Sequence, residues 1–592
     1  MSSFFDSASL VQIPSGYSDG TLYSVKPIDG TGDLTFSRGS DIEATRVAAN
    51  GYIEKAKVNL LLQSNSFSSW SANTGITETS GQSGYDGSSD AWKIDLTAAG
   101  GRVQEANSQS GVQTYSVYAK AGTLDFILLF CSSGTNINAY FDLSSGTYAG
   151  STTGSIIDAK IESVGGGWYR CSLTHSEAIT SVRIYPATAY NDLTATSGNI
   201  YIQDAQMNYG LVAQEYQETT TTSVVAGITN DLPRLDYSGG ASCPSLLLEP
   251  SRQNLLTNDT YYGGSDWSKI GVSPSANNAT SPEGVTNAVL LSETAINDQH
   301  SLYPTVSVTS GNAYTASCFV KQGTGSAAPQ YIGFRFRGGG FTDAGGLVVD
   351  LVNKVATYEG GSLTGYKIED YGNGWLRVSI TQSATVTSSS AGLVLFFNNN
   401  ISGSYSTDYL GNVNADMLVY GMQIEQASYS SSLIPTYGTS ATRLAENALS
   451  LTNTLGGLSE GTFFIEMSRD GIDAAMTGSA ISLRDNAGAE EIRLHFDAPA
   501  SQVRWRDGNN SFAQIGDALS ITAGTTFKIL VKTDGTTAKA FGNGAQLGSD
   551  YSVVSTFDFQ RIYNYELGYR IKQQIFFPTA LSDSECITLT TL

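Results

Sequence analysis

The stretch KIESVGGGWYRCSL (Lys160 to Leu173) returns later in the chain as KIEDYGNGWLRVSI (Lys367 to Ile380), aligned without a gap. A complete hairpin written twice restricts the fold to one built by duplication. The flanking sequence repeats in the same order. NLLLQSNSFSSW (Asn59 to Trp70) answers NLLTNDTYYGGSDW (Asn254 to Trp267), and TYSVYAKAG from Thr114 answers TASCFVKQG from Thr315. Val117 and Ala119 of the first copy fall on Cys318 and Val320 of the second, so the cysteine stands at a small apolar core position.

Alternating apolar and polar residues within the repeat predict antiparallel strands. A three-residue loop, Gly165-Gly166-Gly167 or Gly372-Asn373-Gly374, suits a type I turn closed by a left-handed residue. With that loop Glu162 faces Arg170 and Ile161 faces Cys171, and in the second copy Glu369 faces Arg377 and Ile368 faces Val378. One face of each hairpin is apolar. The other carries Trp168 with Lys160, Glu162, Arg170 and Ser172, or Trp375 with Lys367, Glu369, Arg377 and Ser379.

At about 100 to 200 residues per domain, 592 residues make several domains. The short apolar runs, the 63 glycines and the turn clusters make them all-β, as tandem β-sandwiches of jelly-roll type. The expected division is an N-terminal attachment segment (1–57), a first repeat (58–218), a linker (219–252), a second repeat (253–437), a short linker (438–455) and a third sandwich (456–592). The first segment is too small for its own core. Its apolar residues Phe4, Phe5, Leu10, Val11, Ile13, Leu22 and Tyr23 are therefore expected to bury against a partner. A capping box, Ser582 to Glu585, places one short helical turn near the end.

The charge of −22 argues against nucleic acid or an anionic membrane as partner, because both require clustered cations. Five widely spaced cysteines (Cys131, Cys171, Cys243, Cys318, Cys586) read as reduced and mostly buried. The start, MSSFFDSASLVQIPSG, lacks the basic and apolar regions of a signal peptide, and no apolar run nears the roughly 18 residues of a membrane span. Synthesis and assembly in a cytosol are the expectation.

Catalytic motifs are scarce. His175, His300 and His495 lie in no HExxH or GxSxG context and read as structural. The nearest approach to a glycosidase carboxylate pair is Glu466 with Asp470, better explained as a strand residue and a loop residue, so no catalytic residue is assigned. Asp29 and Asp33, and Asp86 and Asp90, could offer calcium oxygens but lack the EF-hand order and read as turn residues, so no metal or cofactor is assigned. The remaining candidates are Trp168 with Arg170 and Trp375 with Arg377. An exposed indole beside hydrogen-bonding groups would hold a sugar ring, whereas a covered indole and Glu–Arg pairs would be folding devices.

The segments FSRGSDIEATRVAANGYIE, PRLDYSGGASCPSLLLEPSRQNLL (Pro233 to Leu256) and IPTYGTSATR (Ile434 to Arg443) resemble the joints of phage virion proteins, tail fibres or head-attached fibres and decoration proteins. In that family such joints introduce carbohydrate-binding-like jelly rolls. The last domain is similar to concanavalin A-like or laminin G-like sandwiches. The resemblance implies a non-enzymatic virion surface protein, assembled in the bacterial host cytoplasm. It would dock through its N-terminal segment on capsid or tail proteins and adhere to a host surface glycan. It would form a homo-oligomer such as a trimer. A virion-associated polysaccharide-degrading enzyme, with the repeats as accessory binders, is the alternative.

Overall fold

A computed structural model describes residues 2–342, 345–398, 408–450, 452–471, 478–485, 491–497, 500–506, 512–515, 519–553, 558–565 and 567–592. The architecture is all-β, in tandem sandwiches, as the alternating pattern implies. The two repeats share one sheet strand for strand, while the sheet that faces it has five described strands in the first repeat and seven in the second. In the first, a six-stranded sheet runs Asp158–Gly165, Trp168–His175, Gln113–Ala121, Asn199–Tyr209, Ala91–Leu96, Ile76–Gln82. In the second, the order Gly365–Asp370, Leu376–Ser383, Ala313–Gln322, Asp416–Glu425, Thr286–Glu293, Val272–Thr280 reproduces it. Each packs on a second sheet. Val117, Ala119 and Cys171 lie in one core, and Cys318, Val320 and Val378 in the other. Four of the five cysteines are buried, Cys243 is exposed, and none is bridged.

The duplication extends into the joints. The Asn59 side chain donates to the carbonyls of Ala205 and Gln217 and accepts from the N–H groups of Leu61 and Met207. Asn254 does the same in its copy, donating to Ile434 and accepting from Leu256 and Ile424. One carboxamide can both donate and accept, so it ties the entering chain to the closing strand of its sandwich. The asparagine of the repeated Asn-Leu-Leu is therefore a clasp.

The N-terminal segment departs from expectation. It does not wait for a partner to bury its apolar residues. Leu10–Gln12 pairs with Gln574 to Phe576 of the strand Tyr569–Phe577, and Thr21–Leu22 and Leu34–Ser37 extend the other sheet of the third sandwich. Leu10, Leu22, Leu34 and Phe36 belong to that sandwich's core. The linkers also contribute. Ser245–Leu248 pairs with the same strand, from Tyr569 to Ile571, and Asn447–Leu449 sits between Leu34–Ser37 and Arg561–Asn564. The physical reason is the open edge: an unpaired strand edge is a template for pairing with another chain, and these short segments cover it. Phe5, Ile13 and Tyr23 remain outside.

The three joints converge on one buried ionic cluster. Arg234 bonds Glu446 at 2.6 Å and Glu249 at 2.7 Å, Arg443 approaches Glu249 at 3.2 Å, and Arg38 bonds Glu446 at 2.9 Å. Burial alone would raise the two carboxyls, but the arginines hold both below the usual range. Arg234 also donates to the Thr45 carbonyl at 2.8 Å, so the cluster reaches the first joint's hairpin. At the C-terminus the helix Asp583–Thr590 carries the capping box expected at Ser582 and Glu585.

Candidate functional site

The repeated hairpins keep the register read from sequence. Glu162 faces Arg170, Ile161 faces Cys171, Glu369 faces Arg377 and Ile368 faces Val378. The turns differ from the type I expectation. Gly166 and Gly167, or Asn373 and Gly374, are both left-handed, which is the two-residue turn that matches strand twist. In the first copy Val164 is bulged out before Gly165 meets Trp168. Gly165 and Gly372 are left-handed as well, so each turn glycine sits where a side chain would strain the backbone.

The outward tryptophans are not open to a ligand. Trp168 is 3% exposed and Trp375 2%. Tyr85 covers the first, its ring 6.5 Å from the indole and stacked at 3.8 Å on Tyr118. Ile53 and Leu433 pack over the second, whose indole N–H donates to the Thr280 carbonyl at 3.1 Å. The reading of Trp168 and Trp375 as sugar platforms is corrected: each is a core residue of a covered face.

The Glu–Arg ion pairs are also absent, although the residues face each other. Glu162 bonds Lys160 at 2.6 Å and Glu369 bonds Lys367 at 2.7 Å, each two residues back on its own strand. Arg170 turns to Ser116, at 3.2 Å, and the Gln214 carbonyl, with its guanidinium over the Tyr118 ring. Arg377 likewise donates to Ser317 at 3.1 Å and lies over Phe319. A planar cation stacked on an aromatic face is well placed in a half-dry site, and the lysine is left to meet the acid.

Other sequence candidates are occupied structurally. Asp29 accepts from Thr31 and Asp33 from Ser24. Asp86 and Asp90 are bonded by Gln203 and Ser88. Among the described residues no group of three or more His, Cys, Asp or Glu side chains is placed to hold a metal ion. Glu466 accepts from Gln573 at 2.8 Å, and Asp470 pairs with Arg570. His175 is buried, and desolvation pushes its pKa down to about 4.

An opening also lies between the two repeats, away from every residue singled out in the sequence as a binding candidate. A cleft of about 540 Å³ is bounded by the first joint (Asn50, Tyr52, Lys55, Lys57), the exit of the first repeat (Leu211 to Glu215) and the second repeat (Thr260, Glu283, Val285, Asn287). A second hollow of about 230 Å³ shares Leu211, Val212, Ala213 and Val285 with it and continues along Lys160, Glu162 and Ser172. Part of the predicted outward face therefore does line an opening, though not through its tryptophan or arginine. Lys55, Glu283 and Asn287 come from segments with no motif, and only folding brings them together.

Lys55 pairs with Glu283, which also accepts from the Tyr420 hydroxyl and, at 2.9 Å, from the Asn287 amide. Burial would lower the lysine's pKa, but Glu283 raises it above its ordinary value, so the cation is retained. Behind it, Asp259 is fully buried and accepts from the Thr436 N–H at 3.2 Å. Desolvation pushes its pKa up to about 7 against the pull of Lys55. Between the unfolded value of 3.8 and about 7 the folded state thus holds a proton that the unfolded chain has released. Stability from this group is present at low pH, declines as pH rises through that window and is flat above it. Asp259→Asn should flatten the fall in urea midpoint between pH 4 and pH 7; an unchanged slope would show that Asp259 titrates normally.

No protein-family model matches the chain, and no curated protein matches it. Among solved structures, the CBM40 module of Ruminococcus gnavus IT-sialidase bound to α2,3 sialyllactose aligns at 15% identity and a TM-score of 0.21, covering 24% of this chain and 86% of that one. The binding domain of Paraclostridial Mosquitocidal Protein 1 aligns at 12% and 0.20, covering 25% and 43%. Trypanosoma rangeli sialidase aligns at 11% and 0.20, covering 94% and 98%. Likenesses this slight concern β architecture alone, and no site or activity is carried over from them.

Proposed function

We propose that this chain is a structural protein of a phage particle, a tail-fibre or head-fibre/decoration subunit without catalytic activity, that grips the host surface through the groove between its duplicated sandwiches. The observation that supports gripping over reacting is the state of the groove's acids. Glu283 bonds Lys55, Glu215 bonds Lys57, Glu162 bonds Lys160, and Asp158 accepts from Asn277 at 2.7 Å. Hydrolysis of a glycosidic bond requires one carboxyl poised to give a proton and another to attack or activate water. Paired acids suit binding instead.

The place in a virion rests on the resemblance of the three joints. Since residues 10–37 lie within the third sandwich, the part of the N-terminal segment left to meet a capsid or tail protein is its outer side, where Phe5, Ile13, Tyr23 and Ile28 are exposed. Assembly in the host cytoplasm and a homo-oligomer such as a trimer complete the reading. Cryo-electron microscopy and mass spectrometry of purified particles test it together with competition by the soluble chain for host cells. Absence from particles would overturn the virion assignment, and presence without competition would overturn the adhesive role.

A further inference from the structure

Resting on that adhesive reading, we propose that the groove takes a linear, uncharged polysaccharide segment. Its shape argues for an elongated ligand. The hollows of about 540 and 230 Å³ share the strap Leu211 to Ala213 and Val285, so one occupant can run past that strap from end to end. The larger hollow is already within the range of a small-ligand site.

The chemistry argues for hydroxyl groups. Asn50, Gln214 and Thr286, none of them buried, line the two hollows with side chains that both donate and accept, as sugar hydroxyls require. Val212 and Val285 offer apolar surface for the C–H faces of sugar rings.

The charge argues against an anion. The lysines lining the two hollows, Lys55, Lys57 and Lys160, are each bonded to a glutamate, Glu54 is paired with Arg46, and Asp158 adds further negative charge. A carboxylated or sulfated sugar would have to break one of these pairs and approach a chain of net charge −22.

The test uses the full-length chain with dextran, laminarin and galactomannan as uncharged probes, and polygalacturonate and polysialic acid as anionic ones. Val285 is 42% exposed, so Val285→Trp obstructs the groove without entering a core. Binding of an uncharged probe is expected, weakened about tenfold or more by Val285→Trp and by Thr286→Trp, which obstructs the smaller hollow from an exposed position. Lys354→Ala, at an exposed pair outside the groove, should leave it unchanged. Melting curves identify any variant that fails to fold, and Val285→Trp decides if Thr286→Trp does.

Preference for a polyanion, binding indifferent to Val285→Trp, or no binding to any probe would each overturn the proposal. If no probe binds yet Val285→Trp abolishes competition for host cells, the groove grips a protein, and the adhesive reading survives without this ligand. If Val285→Trp leaves that competition intact, the groove is not the adhesive site and both fail.

Discussion

Removing residues 2–37 will unfold the third sandwich while the two duplicated sandwiches stay folded. The strand Tyr569–Phe577 would lose Leu10–Gln12 from its edge, and Leu34–Ser37 would vanish from beside Asn447–Leu449. Leu10, Leu22, Leu34 and Phe36 would also leave the core. At about 1.5–3 kcal/mol for each buried side chain, the loss is on the order of 6–12 kcal/mol. A whole domain is stable by only roughly 5–15 kcal/mol. Limited proteolysis should cut the truncated chain after about residue 456 and spare the repeats, and a peptide of residues 2–37 added in trans should restore protection. A truncated protein whose last domain resists protease would refute the strand assignment.

The second large effect is expected at the meeting of the joints. Arg234→Met leaves Glu446 with Arg38 and Glu249 with Arg443 but removes the cation that bridges the two acids in a dry site, and breaking a buried pair from one side costs about 3–5 kcal/mol. Adding Glu446→Leu should deepen the loss, because Arg38 then lies buried without its carboxylate. Arg46→Met is the comparison. Arg46 bonds Glu54 at 2.8 Å with the acid 30% exposed, and a partly solvated pair contributes about 1 kcal/mol or less. Equal urea midpoints for Arg234→Met and Arg46→Met would mean that the cluster does not join the segments as a unit.

The same cluster explains the odd sequence of the joints. FSRGS, PRLDY, LLLEPSR and ATRLAEN supply Arg38, Arg234, Glu249, Arg443 and Glu446, and their charges stand among apolar residues because each arginine meets a glutamate in the interior. Reading those segments as tethers missed this. A charged residue in a Gly- and Pro-rich stretch has the same local signature whether it faces water or another joint.

The repeated hairpin was readable to the residue pair, since alternation along a strand and glycine in a turn are local matters. Sequence also placed Trp168 and Trp375 correctly on the face away from each repeat's core. It could not tell that the face was covered. The cover comes from Tyr85 in one copy and from Ile53 and Leu433 in the other, and no period links them to the hairpin.

By itself, the sequence determined the β class, the duplication, the strand register and the buried place of Val117, Ala119, Cys318 and Val320, because period-two patterning acts over a few residues. Tertiary structure alone decided that the chain's beginning completes its last sandwich and that Lys55, Glu283 and Asn287 form a groove wall. Edge pairing and charge burial select partners by proximity in space, and residues hundreds apart become neighbours only once the sandwiches have closed.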